Sequence, residues 1–175
     1  GLKITVSTSI LVPKPFTPFQ WAPMARPEIV DERIKAVRGA IKSRSIVYNY
    51  HEQETSFMEA VFARGDRRTC DVLIKAFEKG AKFDGWSEYF NMEIWNEAME
   101  ECNLDSEFYV YREREYDEIL PWDFIDIGVN RKYMERENEK AKKAELTKNC
   151  LEGCTGCGIN VNFKEGKCFE GAIRN

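Results

Sequence analysis

Four thiols near the C-terminal end carry the densest chemistry in this sequence: Cys150, Cys154, Cys157 and Cys168 fall within nineteen residues. Thiolates bind zinc as a tetrahedral set of four, or hold the iron atoms of an iron–sulfur cluster. Gly153, Gly156 and Gly158 lie among them, and glycine lets the backbone turn tightly and aim amide groups at sulfur. The run reads as a metal or iron–sulfur site, with zinc and iron–sulfur ligation both open; a tail of unligated thiols is the plainer alternative. A second group is "ARGDRR", in which Arg64, Arg67 and Arg68 flank Asp66 at a junction between helices. Guanidinium forks bind phosphate or carboxylate in pairs of hydrogen bonds, so an anion contact is one reading. An Asp66–arginine pair that fixes the turn is the other. His51 is the only histidine, a proton donor or substrate contact if it is not structural. Asp123 and Asp126 lie close enough in sequence to act as an acid and base pair, though nothing else singles them out.

The first three thiols have the spacing CxxxCxxC, in "NCLEGCTGC", by which radical S-adenosylmethionine (SAM) enzymes hold their catalytic cluster. In those enzymes the motif sits early, ahead of a long barrel. Only eighteen residues follow Cys157, so these cysteines are not expected to be the SAM-cleaving site.

The elements that must position these groups are mostly helical. With 175 residues and 43% hydrophobic content, the chain can bury one core. The β-branched residues from Lys3 to Val12 predict a strand. In "PKPFTPFQWAP" four prolines predict extended backbone and no helix. Pro27 opens a helix whose Val30, Ile34, Val37 and Ile41 form one face, and "IVYNY" at 46–50 predicts a short strand. Ser56-x-x-Glu59 reads as a capping box. A helix from Thr69 to Lys79 ends at Gly80, Asn91 caps another, and Asn130 caps a charged helix running to about Lys143. Trp86, Tyr89, Phe90, Trp95, Tyr109, Tyr111 and Trp122 read as core beside an acidic face. Cys70, at a helix start, and Cys102 are expected as buried structural thiols.

No apolar run reaches membrane-spanning length, and there is no secretory signal. Six cysteines without such a signal point to a reducing, cytoplasmic setting. The chain begins at Gly1 and runs directly into a strand, which suggests a piece of a longer protein. Between Asp84 and Asp126 there are 14 acidic residues against Arg112 and Arg114, which argues against non-specific nucleic-acid binding by that region.

Five segments, in order, carry a resemblance: "VPKPFTPFQW", "FMEAVFARGDRR", "FDGWSEYFN", "LPWDFIDIGV" and "CTGCG". Together the chain resembles the C-terminal part of a radical SAM Fe–S oxidoreductase family with an N-terminal cobalamin-binding-like region. The resemblance implies a mostly helical α/β fold divided in three. Residues 1–26 would be the last strand and loop of a truncated barrel, 27–148 a helical C-terminal domain, and 149–175 a Cys-rich irregular tail. It places Lys14 and Gln20 at the rim of the SAM cavity and matches His51 to a histidine of the family. The partner it implies is the missing N-terminal portion of the same polypeptide, carrying a 4Fe–4S cluster and SAM, with cobalamin the further cofactor that the resemblance leaves open. The family pattern often has histidine at the position of Phe124 and a fourth cysteine at that of Asn160, so Cys168 would have to complete the tail's ligands.

Two functions follow. One is an accessory region that closes the barrel and helps line the substrate cavity, the substrate being a small molecule or RNA. The alternative is a zinc-knuckle interaction module recruiting RNA or a protein. Arg131, Lys132, Arg136, Lys140, Lys142 and Lys143 would then supply phosphate contacts.

Overall fold

A computed structural model describes residues 1–163. The fold is mixed α/β and mostly helical, with seven helices and one two-stranded parallel sheet among the described residues. Its first motif is a βαβ unit. Strand β1 (Ile4–Thr8) leads by way of a loop to α1 (Pro27–Ala40), and β2 (Ile46–Tyr50) returns parallel to β1. Ile4 pairs with Ile46 and Thr8 with Tyr50. Because β2 pairs beside it, β1 is not the last strand of this sheet.

The helices follow from local chemistry. Pro27, with its fixed φ and missing N–H, starts α1 where an amide would have no partner. Helix α2 (Gln53–Arg64) starts three residues before the expected capping box. Ser56 instead lies inside the helix, its hydroxyl donating to the Glu52 carbonyl four residues back (3.0 Å). Gly65 separates α2 from α3 (Thr69–Glu78), and Gly80, at φ 104°, stops the latter. The Asn91 side chain caps α4 (Met92–Glu101), accepting from the Glu93 amide at 2.9 Å. A short α5 (Ser106–Val110), capped by Asp105, has too few residues to show a period. Asn130 stands at the start of α6 (Arg131–Lys142), and a four-residue turn, α7 (Ile159–Asn162), interrupts the glycine-rich tail. The proline-rich loop departs from expectation too: Pro18–Trp21 form a 3-10 turn, because Pro18 occupies its first position, where no N–H is needed.

The chain folds into two compact units. The first combines Gly1–Pro13 with Ala22–Glu113. Its core joins Met58, Ala60 and Val61 of α2, Val72 and Ala76 of α3, and Trp95, Ala98 and Met99 of α4, with Val110. The second unit combines Lys14–Trp21 with the described residues from Arg114 on. Trp21, Leu120, Trp122 and Met134 form its core. Trp21 meets Tyr116 edge to face at 4.9 Å between ring centres, an arrangement favoured by the ring quadrupoles.

The sheet is covered on one side only. Val6, Thr8, Ile46 and Tyr48 are half-buried, whereas Thr5, Ser7, Val47 and Asn49 on the opposite face are exposed. No third strand pairs with either edge among the described residues.

Candidate functional site

The arginines of "ARGDRR" divide into different roles. The Arg64 side chain is wholly buried, 0% exposed, and its Nε donates to the Tyr109 carbonyl at 2.7 Å. Its Nη2 donates to the Arg112 carbonyl at 3.3 Å, so this guanidinium ties α2 to α5 and the backbone beyond it. Arg68 is exposed and grips Asp66 through Nε and Nη2, the latter at 2.6 Å. That guanidinium, with the Arg68 amide and the Tyr109 hydroxyl, holds the Asp66 carboxyl well below the usual carboxylate range. Burial, then Asp66, pushes the Tyr109 hydroxyl up. Arg67 is exposed beside them. The turn-fixing reading therefore describes Asp66 and Arg68, and Arg67 is the one of the three arginines turned to solvent without these bonds.

Gln20 is buried at the centre of the second unit. Its Oε1 accepts from the Trp122 indole at 2.7 Å and from the Phe16 amide at 3.1 Å. Lys14 is half-buried, its carbonyl accepting from the Thr17 hydroxyl. His51 is exposed just after β2, and its backbone amide donates to the Thr8 carbonyl. Asp123 and Asp126 serve separate local structures. Asp123 accepts from Arg131 and from the Leu120 amide, while Asp126 accepts from the Gly128 amide. Arg131 also donates to the carbonyls of Tyr116 and Glu118, and its charge lies 5.8 Å from the Trp21 ring centre. Arg136, Lys140 and Lys142 are likewise engaged, with the Thr155 carbonyl, Glu137 and Thr147, and Glu139 respectively.

The cysteine loop hangs from α6. The Asn130 amide donates to the Cys157 carbonyl at 2.7 Å, and Arg136 reaches the Thr155 carbonyl at 2.6 Å. Gly153, Gly156 and Gly158 all have positive φ. A β-carbon on Gly158 would meet the Asn130 side chain at 2.8 Å. The Gly156 amide points at the Cys154 sulfur, 3.4 Å away, the contact expected of a thiolate-cradling turn. In type, the donors suit zinc or iron–sulfur. Among the described residues, which hold three of the four thiols, no three Cys, His, Asp or Glu side chains converge for a metal. Cys150 and Cys154 are exposed and Cys157 half-buried; Cys168 lies outside the described residues. Of the two expected structural thiols, Cys102 is half-buried against the core, but Cys70 is exposed on α3.

A feature that sequence reasoning passed over is a cavity of about 560 Å³ between α1 and the sheet, lined by Arg33, Thr8 and Tyr48 among others. The alternation of "IVYNY" carried the signal, since it sets Tyr48 on the same face as the helix-facing side of β1.

This architecture defines a mostly helical α/β chain built on one βαβ unit. No family model, no curated protein and no solved structure matches it. No helix among the described residues is long and apolar enough to cross a membrane.

Proposed function

We propose that this chain is the C-terminal accessory region of a radical SAM Fe–S oxidoreductase, extending a parallel sheet that belongs to a larger barrel. The observation that carries this reading is the half-covered βαβ unit. Parallel sheets are normally buried on both faces, and a sheet of two strands is rarely stable alone. Here α1 lies over one face, while Thr5, Ser7, Val47 and Asn49 stand exposed on the other, Val47 at 53%. Docked on a barrel, α1 belongs to the outer helical layer and that bare face looks inward. Its Thr5, Ser7, Asn49 and Val47 side chains then line part of the substrate cavity. The partner is the upstream portion of the same polypeptide, in a cytoplasmic setting. There a 4Fe–4S cluster would supply reductive SAM cleavage, while this chain's residues close the edge and shape the cavity. The tail thiols Cys150, Cys154, Cys157 and Cys168 would be the ligands of a zinc ion or an iron–sulfur cluster.

The zinc-knuckle alternative draws less support, because Arg131, Arg136, Lys140 and Lys142 already bond within the chain. The test is to express the whole reading frame containing this chain, reconstitute it anaerobically with iron and sulfide, and assay 5′-deoxyadenosine release from SAM. An upstream CxxxCxxC and SAM cleavage that is lost when its cysteines become alanine are expected. A whole frame lacking that motif, or one that leaves SAM intact, overturns the reading.

A further inference from the structure

The cavity between α1 and the sheet has the shape and chemistry of a small-molecule site. Its volume, about 560 Å³, lies within the range of roughly 300–1,000 Å³ common to such pockets. It sits at the carboxyl ends of parallel strands, where α/β folds take ligands because the connecting loops diverge there. Thr8 and Tyr50, the last residues of β1 and β2, both line it. Leu11, Ile29, Ile34 and Val37 make its walls apolar. Polar groups are few: the Thr8 and Tyr48 hydroxyls bond each other at 2.8 Å, Ser9 adds a third hydroxyl, and the Tyr50 hydroxyl is occupied by Arg38, which donates to it at 3.2 Å from outside the lining.

Charge decides the ligand class. Arg33 is the only charged residue among those lining the cavity, and no carboxylate lines it. Arg33 is exposed and has no ion-pair partner among the described residues. The nearby acid Asp31 accepts from Gln53 at 2.6 Å and does not line the cavity. An apolar chamber with one cation fits a molecule with an apolar body and one anionic head. We infer that this cavity binds an amphiphilic monocarboxylate, its apolar part between α1 and the sheet and its carboxylate on the Arg33 guanidinium. A carboxylate takes a guanidinium by two parallel hydrogen bonds, and an alcohol of the same chain length cannot. The inference is independent of the radical SAM reading, since it uses only groups within the βαβ unit.

Decanoate is the probe, titrated calorimetrically into the intact chain beside 1-decanol. Saturable decanoate binding at one site per chain is expected, with decanol weaker. Arg33→Gln, an exposed substitution that leaves the fold intact by circular dichroism, weakens decanoate by about tenfold or more and leaves decanol unchanged. Val37→Trp fills the chamber and abolishes both. Absence of saturable binding to the wild type overturns the inference, as does equal affinity in Arg33→Gln or retained binding by folded Val37→Trp. Should Val37→Trp not fold, the Arg33→Gln arm decides alone.

Discussion

A buried guanidinium and an exposed one three residues away differ in what their loss leaves behind. Removing Arg64 strands the Tyr109 and Arg112 carbonyls without this donor and opens a void where a long side chain lay. Unsatisfied buried acceptors cost about 1–3 kcal/mol each, so Arg64→Ala is expected to destabilise by about 3 kcal/mol or more. Arg67→Ala, on the surface, stays within about 0.5 kcal/mol. Urea denaturation midpoints of the two variants check this difference, and equal midpoints would remove Arg64 from its structural role. Asp66 adds a dependence on pH. Its carboxyl is held low by Arg68, so the stability it lends is present above the ordinary carboxylate value, near 4, and drains away as pH falls through the depressed one. Wild type therefore loses stability more steeply than Asp66→Asn on going from about pH 5 to about pH 2. Parallel acid limbs in the two proteins would show that the Asp66–Arg68 contact contributes nothing in solution.

At the scale of elements, two glycines make opposite predictions. A β-carbon on Gly65, between α2 and α3, would stand 2.6 Å from the Val61 carbonyl and 2.3 Å from the Thr69 methyl, both too close. Gly65→Ala is expected to destabilise by about 1–3 kcal/mol, the range for overpacking. Gly39, within α1, has nothing within 4 Å of its added carbon, and Gly39→Ala is expected to stabilise by about 0.5–1 kcal/mol through helix propensity. Thermal melting of both variants reads the two signs. Such elements were legible wherever a local signal fixed them: Pro27 at the start of α1, Gly80 after α3, Asn91 before α4, and "IVYNY" as β2. The miss at Ser56 has a physical cause, since a serine hydroxyl that caps a helix end bonds equally well to the carbonyl four residues back. Helix α3 marks a different limit. Periodicity finds apolar residues on it but not which stripe is covered: Val72 and Ala76 pack inside, while Cys70, Leu73, Ile74 and Phe77 are exposed. Small residues face the neighbouring helix α4 because they allow close approach, which a hydrophobicity pattern alone does not encode. The Gln20–Trp122 hydrogen bond spans 102 positions, and no local pattern brings such partners together.

At the scale of the molecule, stability is unevenly distributed, and the unevenness bears on what the sheet is for. The core of α2, α3 and α4 buries Ala60, Val61, Val72, Ala76 and Ala98 completely. The sheet has two short strands, a bare face, no third strand on either edge among the described residues, and a cavity under α1. Local opening costs least where few apolar contacts guard the backbone bonds, and amide hydrogen exchange reports that cost. The amides bonded between β1 and β2 are therefore expected to exchange at least a hundredfold faster than those of Val72, Ala76 and Ala98, a difference of about 2.7 kcal/mol in opening free energy. An upstream strand that pairs with the sheet and a layer that covers Val47 would raise the protection of Thr5 to Thr8 and Val47 to Tyr50 without altering the helical core. Measured on this chain and again on the longer reading frame that the proposed accessory role requires, the exchange pattern separates two physical pictures. If β1 and β2 are already as protected as α3 and α4 in this chain, the sheet completes itself and the reason for placing it in a larger barrel disappears. If protection of the strands alone rises in the longer chain, the bare face is an internal surface of a larger fold.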